Sequence, residues 1–176
     1  MSQLPPNPRL ALQTRSAEET RRLGMAIAPA LHSGDVLALS GDLGAGKTTF
    51  VQGLAVGLGV AEWVTSPTFI LMKSYAGSRY SLVHLDVYRL DNVQEVLDLG
   101  LDALFEPSAI VAVEWGDVIG PLLGSEQLLV DLRHGRQECV REVVVSVQGG
   151  RWRDRINTLS VLTSNLFSPG REDGEL

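Results

Sequence analysis

The N-terminal part of the chain shows a strand pattern followed by a helix pattern. Leu10 and Leu12 alternate with polar neighbours, which predicts a half-buried strand. Ser16 and Glu19 have the spacing of a capping box and indicate that a helix begins there. We expect this helix to end at Gly34. Its predicted apolar face consists of Leu23, Ile27 and Leu31.

A second strand and a second helix flank a glycine-rich segment. Residues 36–39 form a short apolar run that suits a buried strand, and residues 47–58 carry apolar side chains at helical spacing. Gly53 and Gly57 lie inside this helix, where glycine costs stability relative to alanine. We therefore expect these two glycines to pack closely on the sheet.

The rest of the chain predicts further strands and two more helices. One helix is expected from a cap at Asp91 to Gly100, and a basic amphipathic helix from Arg151 toward Leu162. Cys139 is interpreted as a small buried strand residue. The predicted strands are residues 70–75, 80–85, 109–113, 128–132 and 139–147, of which the last two are antiparallel.

The glycine-rich segment fits a phosphate-binding loop, in which two glycines separated by four residues precede Lys and a hydroxyl residue. Such glycines let backbone N–H groups converge on phosphate oxygens at a helix N-terminus. We expect Lys47, on an exposed loop, to contact the β- and γ-phosphates, and Thr48 to be a ligand of Mg²⁺. The alternative is a glycine-rich turn that only caps the helix. The residues predicted to bind the nucleotide are Gly41, Asp42, Leu43, Gly44, Ala45, Gly46, Lys47, Thr48 and Thr49.

Two later strands end in acidic residues, at the position where α/β sheets site phosphate and metal chemistry. Asp86 is a candidate to bind metal or to position water, and Glu114 is a candidate to hold Mg²⁺ directly or through water. Trp115 is interpreted either as a cover over the site or as a core residue. His84 shares a face with Asp86 if the strand is regular, and it is either a satisfied structural histidine or part of the site.

A hydroxyl-rich segment around Ser66, Pro67 and Thr68 has the composition of a nucleotide-sensing switch. A loop threonine that binds Mg²⁺ only when the γ-phosphate is present is one known switch device. Thr68 is therefore included among the predicted nucleotide contacts. Arg89 is expected either to neutralise phosphate charge or to pair with Asp91.

The loop and the order of elements predict an α/β fold. We expect a P-loop NTPase-like, three-layer arrangement with a mixed, largely parallel central sheet and antiparallel additions. The 176 residues, 44% of them hydrophobic, suffice for one core but not for two domains. We expect a disordered tail at 1–8, a P-loop ATPase domain at 9–150, and a C-terminal extension at 151–176 that begins with a short helix and continues as a disordered tail.

Composition also limits the classes of partner that we expect this protein to bind. A net charge of −6 argues against a broad nucleic-acid surface, because such surfaces are built from clustered Lys and Arg. The single cysteine permits no internal disulfide. Neither a signal-peptide layout nor an apolar run of membrane-spanning length is present, so we expect a cytoplasmic protein without a membrane partner.

Five motifs in this order and at these separations resemble the TsaE family, formerly YjeE, the bacterial ATPase of tRNA threonylcarbamoyladenosine biosynthesis. The likeness extends over about residues 10 to 150. The motifs are the phosphate loop through Phe50, then residues 66–69, 84–89, 99–101 and 114–115.

The resemblance implies a single α/β domain that binds ATP and Mg²⁺ and works with the TsaD and TsaB proteins, with tRNA involved only indirectly. It implies that Lys47 and Thr48 hold phosphate and magnesium, that Glu114 serves magnesium and that Asp86 is needed for hydrolysis. It also implies nucleotide contacts near Arg15 and Arg136. Relatives often carry Glu at the position of Asp117, so no role is assigned there.

Two other functions remain as alternatives. A small-molecule or nucleoside kinase would share the loop, but it needs lid arginines, for which only Arg133, Arg136 and the run from Arg151 to Arg155 are available. A nucleotide-dependent binding module would use ATP occupancy rather than hydrolysis. A GTPase is less favoured, because the chain contains no Asn-Lys-x-Asp segment.

Overall fold

The computed structural model describes residues 8–67, 71–90, 93–98, 108–164 and 166–169. Its strands are β1 (Arg9–Thr14), β2 (Val36–Gly41), β3 (Met72–Tyr75), β4 (Ser81–Asp86), β5 (Ala109–Glu114), β6 (Gln127–His134), β7 (Arg141–Gln148) and β8 (Ser168–Pro169). Its helices are α1 (Ala17–Ile27), α2 (Lys47–Gly57), α3 (Val93–Asp98), α4 (Gly150–Arg153) and α5 (Ile156–Ser164), with 3₁₀ turns at Ala28–Ala30 and Gly120–Leu122.

The eight strands found in the described residues belong to one mixed sheet, in the order β3-β4-β5-β2-β6-β7-β1-β8. The four strands β4, β5, β2 and β6 are mutually parallel, and the strands outside them pair antiparallel. The predicted α/β class with a parallel core and antiparallel additions is confirmed. Every residue of β5 is buried, as expected for a parallel strand covered on both faces.

The register of the parallel strands brings three functional segments to one edge of the sheet. Asp86 at the end of β4 lies beside Glu114 at the end of β5, and Glu114 lies beside Leu39 of β2. The glycine-rich loop follows β2 directly and leads into α2. The loop and both carboxylates therefore meet at the carboxyl ends of adjacent strands, where α/β proteins form ligand sites.

Helices α1 and α2 pack on one face of the sheet and against each other. A β-carbon on Gly53 would collide with the Arg21 backbone, and one on Gly57 would collide with Ala28 and the Met25 backbone. The prediction that these glycines approach the sheet is therefore wrong, because their close contact is with α1. Their lack of a side chain lets the two helix backbones approach each other.

The predicted first helix is longer than the observed one. Ser16 caps α1 by accepting the Glu19 backbone N–H at 3.1 Å, as the capping-box pattern predicts. The helix ends at Ile27 rather than near Gly34, and Pro29 lies within the following 3₁₀ turn. Proline has no N–H for a helical hydrogen bond, which favours a break there. Leu31 still joins the core from outside the helix.

Three predictions about the end of the chain are corrected. Cys139 is exposed and precedes β7, because that strand begins at Arg141 rather than at residue 139. The single helix predicted from Arg151 consists of two short helices, α4 and α5. Ser168, which lies in the extension that was expected to continue as a disordered tail, pairs with Gln13 of β1.

The C-terminal helices share the main hydrophobic core. The members of this core that come from the C-terminal segment are Trp152, Ile156, Leu159 and Phe167. Arg155 forms a two-pronged ion pair with the fully buried carboxylate of Asp35, at 2.6 and 2.8 Å. These contacts attach the segment that follows residue 149 to the rest of the fold.

The hairpin predicted from residues 70–85 is present as β3 and β4, which pair antiparallel. Thr68, Ile70, Asp91 and Gly100 lie outside the described residues, so their predicted roles stay predictions. Within the part of the chain that is described, no helix has the length and apolar character needed to cross a membrane.

Candidate nucleotide-binding site

The glycine loop has the backbone geometry needed to enclose an anion. Gly41, Gly44 and Gly46 have φ angles of 115°, 74° and 104°, in the left-handed region that favours glycine. Gly46 occupies the N-cap of α2, and no side chain caps that helix. The first N–H groups of α2 have no partner within the helix and therefore point toward the space beside the loop.

Lys47 is buried beside the loop, contrary to the prediction of an exposed position. Its side chain is 5% exposed, and Nζ donates hydrogen bonds to the carbonyl oxygens of Gly41 at 2.9 Å and Asp42 at 2.7 Å. Burial lowers the pKa of Lys47, and the nearby carboxylates of Glu114, Asp86, Asp42 and Asp117 oppose this shift.

Glu114 joins the loop to the sheet edge. Its Oε1 atom accepts a hydrogen bond from Thr48 Oγ1 at 2.7 Å and lies 2.8 Å from Nε2 of His84. Glu114 and His84 are 4% and 0% exposed. The prediction that His84 shares a face with Asp86 is confirmed, because both side chains lie on the side of the sheet that carries α2.

Asp86, at the end of β4, accepts hydrogen bonds from the segment before β3 and from the turn that follows β4. Ser66 Oγ donates to Oδ2 at 3.0 Å, and the backbone N–H of Tyr88 donates to Oδ1 at 3.1 Å. The predicted switch segment therefore reaches the site through Ser66. Sequence reasoning did not assign Ser66 a site role of its own, because Ser-Pro-Thr is a weak pattern.

Trp115 serves both of the roles considered for it. Its ring centroid lies 3.8 Å from Lys47 Nζ and 5.0 Å from the ring centroid of Tyr88. The half-buried side chain also packs against the smaller apolar cluster on the opposite face. Trp115 has a φ of 62°, which is uncommon for a bulky residue and turns the chain sharply after β5.

These side chains enclose a cavity of about 330 Å³, in the size range of small-molecule sites. Nine of the predicted site residues lie together in its wall, namely Leu43, Gly44, Gly46, Lys47, Thr48, Thr49, Asp86, Glu114 and Trp115. The others in the wall are Ser66 and Tyr88.

Arg15 and Arg136 do not line this cavity. They line a neighbouring cleft of about 400 Å³ between the end of β1 and the turn that joins β6 to β7. Both side chains are exposed. The structure thus brings the two arginines together, on the far side of the loop from Asp86 and Glu114.

Two residues that sequence reasoning missed connect this cleft to the loop. Arg141 Nε donates to the carbonyl oxygen of Ala45 at 3.1 Å, and its Nη1 atom donates to the carbonyl oxygens of Glu138 and Val140. The backbone N–H of His134 donates to Asp42 Oδ2 at 3.2 Å. No local pattern marks these residues, because the contacts join positions about 90 residues apart in the chain.

The oxygen atoms in the cavity wall suit a magnesium ion that is bound partly by the protein and partly by phosphate. Magnesium in nucleotide sites is held by one or two protein oxygens together with phosphate and water oxygens. Thr48, Glu114 and Asp86 supply hydroxyl and carboxylate oxygens on one cavity wall. Among the described residues, no cluster of three or more His, Cys, Asp or Glu side chains forms a complete protein metal cage.

Comparison with known proteins identifies the family. Residues 14–143 match the family described as threonylcarbamoyl adenosine biosynthesis protein TsaE. The Bacillus subtilis protein named tRNA threonylcarbamoyladenosine biosynthesis protein TsaE is 41% identical over 152 residues, which cover 86% of this chain and 94% of that protein. The Streptomyces coelicolor protein of the same name is 42% identical over 138 residues, which cover 75% of this chain and 93% of that protein.

A solved structure agrees with this result. The crystal structure of Bacillus subtilis YdiB superposes with a TM-score of 0.74 at 35% sequence identity, covering 91% of this chain and 98% of that one. The family match covers well over half of the chain, and it includes the glycine loop and both acidic strand ends. The chain therefore belongs to the TsaE family of tRNA threonylcarbamoyladenosine biosynthesis proteins.

Proposed function

We propose that this protein binds ATP with Mg²⁺ in the loop cavity and hydrolyses the ATP slowly, in support of threonylcarbamoyladenosine modification of tRNA. The observation that carries the proposal is the 2.7 Å hydrogen bond from Thr48 to Glu114. This bond joins the phosphate loop to an acidic residue at the end of the neighbouring strand, which is the pairing of parts that P-loop hydrolases use.

The loop and Lys47 bind the phosphates. The N–H groups at the start of α2 donate to phosphate oxygens, and the Lys47 ammonium neutralises charge on the β- and γ-phosphates. Trp115 packs over the ammonium, which keeps water away from that side of the charge. Low water content strengthens the attraction between ammonium and phosphate.

Thr48, Glu114 and Asp86 would hold magnesium. When bound, this ion would neutralise negative charge that develops on the phosphates. The Thr48 hydroxyl donates its only proton to Glu114, so its oxygen lone pairs remain for the cation. The short bond therefore orients Thr48 as a ligand.

Asp86 orients the attacking water. Its two oxygens are fixed by Ser66 and by the Tyr88 backbone, which limits the positions that the carboxylate adopts. Water oxygen bonds to the γ-phosphorus while the bond to the β,γ-bridging oxygen breaks, and ADP and inorganic phosphate result. Both hydrogens of the water end on the released phosphate, one retained on the attacking oxygen and the other transferred to a second phosphate oxygen.

Nucleotide selection is assigned to the cleft beside the loop. Arg15 and Arg136 line it, and Arg141 links its hairpin to Ala45. We propose that this side of the loop faces the nucleoside and that Thr68 senses the γ-phosphate. The absence of an Asn-Lys-x-Asp segment supports adenine over guanine, so calorimetry should give tighter binding for ATP than for GTP.

The TsaD and TsaB proteins are the proposed partners, with tRNA contacted only indirectly. In this proposal, ATP hydrolysis resets the transferase complex between rounds of modification. Family membership supports this assignment. The kinase alternative has less support, because Arg155, one of its lid candidates, is engaged in the ion pair with buried Asp35.

The test distinguishes a function that needs ATP hydrolysis from one that needs only bound ATP. Glu114→Gln should retain ATP binding by calorimetry and lose phosphate release. In a tRNA modification assay with the TsaD and TsaB proteins, it should support one round and not many. Asp154→Asn, which changes an exposed carboxylate between α4 and α5, is the matched control. Multiple rounds with the Glu114 variant would indicate a nucleotide-dependent binding module instead.

A further inference from the structure

His84 is a buried polar residue that the proposed mechanism leaves without a task. Its side chain is fully buried on β4, two residues before Asp86. Its Nε2 atom lies 2.8 Å from Glu114 Oε1, the same oxygen that accepts the Thr48 hydroxyl. His84 therefore contacts Glu114, a proposed magnesium-binding residue, although its own side chain does not line the cavity.

The hydrogen-bond network assigns the proton to Nε2. Among the described residues, Nδ1 has no hydrogen-bond partner. A proton on Nδ1 alone would leave a buried N–H unpaired and would set the Nε2 lone pair against a carboxylate oxygen. With the proton on Nε2, the ring donates to Glu114, and Nδ1 is the only ring nitrogen without a partner.

Core packing alone does not explain a histidine here. Leu82 lies two residues earlier on the same strand and is part of the main apolar core. An apolar residue at position 84 would avoid the cost of a buried nitrogen without a partner. The gain that offsets this cost is the bond to Glu114.

We infer that His84 is a positioning residue for Glu114, an inference that rests on the proposed magnesium role of Glu114. Two donors, His84 Nε2 and Thr48 Oγ1, occupy Oε1 and fix the plane of the carboxylate. Among the described residues, Glu114 Oε2 accepts no hydrogen bond, so this second oxygen is available to the cation or to its water. His84 thereby acts as the outer-shell donor that orients a metal-binding carboxylate.

The test measures how much magnesium strengthens nucleotide binding. Calorimetry gives the Kd of a non-hydrolysable ATP analogue in EDTA and again in saturating Mg²⁺, and the ratio of the two is the magnesium gain. His84→Leu removes the donor and keeps an apolar side chain, whereas His84→Gln keeps an N–H donor on a side chain of similar reach. Thermal unfolding is recorded for each variant.

We expect His84→Leu to leave the Kd in EDTA within about threefold of the wild-type value and to reduce the magnesium gain by ~10-fold or more, the range seen when outer-shell partners of metal ligands are removed. His84→Gln should retain most of the gain. In a Glu114→Ala background, His84→Leu should cause no further loss, because the residue acts through Glu114.

Three results would overturn the inference: an unchanged magnesium gain in His84→Leu, equal losses in the leucine and glutamine variants, or additive losses in the double variant. If the leucine variant does not fold, the glutamine variant decides, and loss of its magnesium gain contradicts the inference. The proposed function fails separately, if Glu114→Ala itself leaves the magnesium gain intact.

Discussion

At the scale of single residues, Lys47 carries the positive charge of the site, and two opposing effects act on its pKa. Burial disfavours its charged form and lowers its pKa, while four carboxylates favour that form. Two backbone carbonyls and the face of Trp115 surround the ammonium. The charge is thus already desolvated before any phosphate approaches, which strengthens its attraction for an anion.

The first prediction concerns this charge. Lys47→Ala should lower ATP affinity by about 10- to 100-fold, because a hydrogen bond to a charged group contributes about 1.5–3 kcal/mol. The free energy of unfolding should change by only about 1 kcal/mol, because the lost bonds to carbonyls are offset by relief of the buried charge. Calorimetry and thermal unfolding measure the two quantities.

Lys73→Ala is the matched control, since Lys73 is half exposed and pairs with Glu62 away from the loop. It should leave ATP affinity unchanged. Wild-type affinity in the Lys47 variant would refute the phosphate assignment.

At the scale of elements, the β6–β7 hairpin supports the phosphate loop. Arg141, at the start of β7, donates to the Ala45 carbonyl in the loop and to two carbonyls of its own hairpin turn. The hairpin turn also carries Arg136. Arg141 therefore links the hairpin turn to the phosphate loop, although its side chain lines neither the cleft nor the loop cavity.

Arg141→Met should weaken ATP binding by about tenfold, because it removes three neutral-acceptor hydrogen bonds of roughly 0.5–1.5 kcal/mol each, only some of which act on the loop. The side-chain stem remains in methionine, so packing is largely kept. Arg133→Met, on the adjacent strand, removes an arginine that pairs with Asp131 and should leave affinity unchanged. Equal losses in the two variants, measured by calorimetry, would argue against a specific role for Arg141.

The ion pair between Arg155, in the turn that joins α4 to α5, and Asp35, just before β2, attaches the C-terminal helices. Asp35 is fully buried and accepts two hydrogen bonds from Arg155 and one from the His32 backbone. Arg155 also donates to the Ala30 carbonyl and stacks on Trp152. Removing one partner leaves the other charge buried and without compensation.

Asp35→Ala should therefore lower the free energy of unfolding by about 3–5 kcal/mol, as measured by denaturant titration. The control is Asp131→Ala, whose partner Arg133 is 64% exposed, and its effect should stay below about 1 kcal/mol. Neither change should alter ATP affinity in the folded protein. A loss below 1 kcal/mol for Asp35→Ala would show that the C-terminal helices are held by apolar contacts alone.

At the scale of the whole molecule, the site contains one buried lysine and, among the residues described, no arginine in the cavity wall. Arg89, the candidate nearest the motifs, is exposed. Arg15 and Arg136 lie in the separate cleft. Phosphoryl-transfer sites that lack a positioned arginine are slow until a partner supplies the missing stabilisation.

Turnover of the isolated protein should accordingly be slow and should rise when the TsaD and TsaB proteins and tRNA are added. Completion of such sites by a partner raises rates by ~10³ to 10⁵ in characterised cases. Steady-state phosphate release at saturating ATP and Mg²⁺ measures both states. If partners leave the rate unchanged, the coupling proposal fails even though the fold and the nucleotide site stand.

Local patterns were sufficient for much of this molecule. The spacing of Gly41, Gly46 and Lys47, the cap at Ser16 and the acidic residue after the apolar strand at 109–113 each depend on near neighbours in the chain. Backbone chemistry acts over a few residues, so such features are readable from sequence. They were enough to predict the loop, both carboxylates at the sheet edge and the α/β class, and the motifs together pointed to the family.

The tertiary structure alone decided which distant residues meet. The contacts of His84 with Glu114, Arg141 with Ala45, and Arg155 with Asp35 span 30, 96 and 120 residues. Each depends on strand order and register, or on how a helix packs across the sheet, and a local pattern encodes none of these. For the same reason Gly53 was expected on the sheet and lies against α1, since periodicity shows that a helix face is buried but not which neighbour buries it.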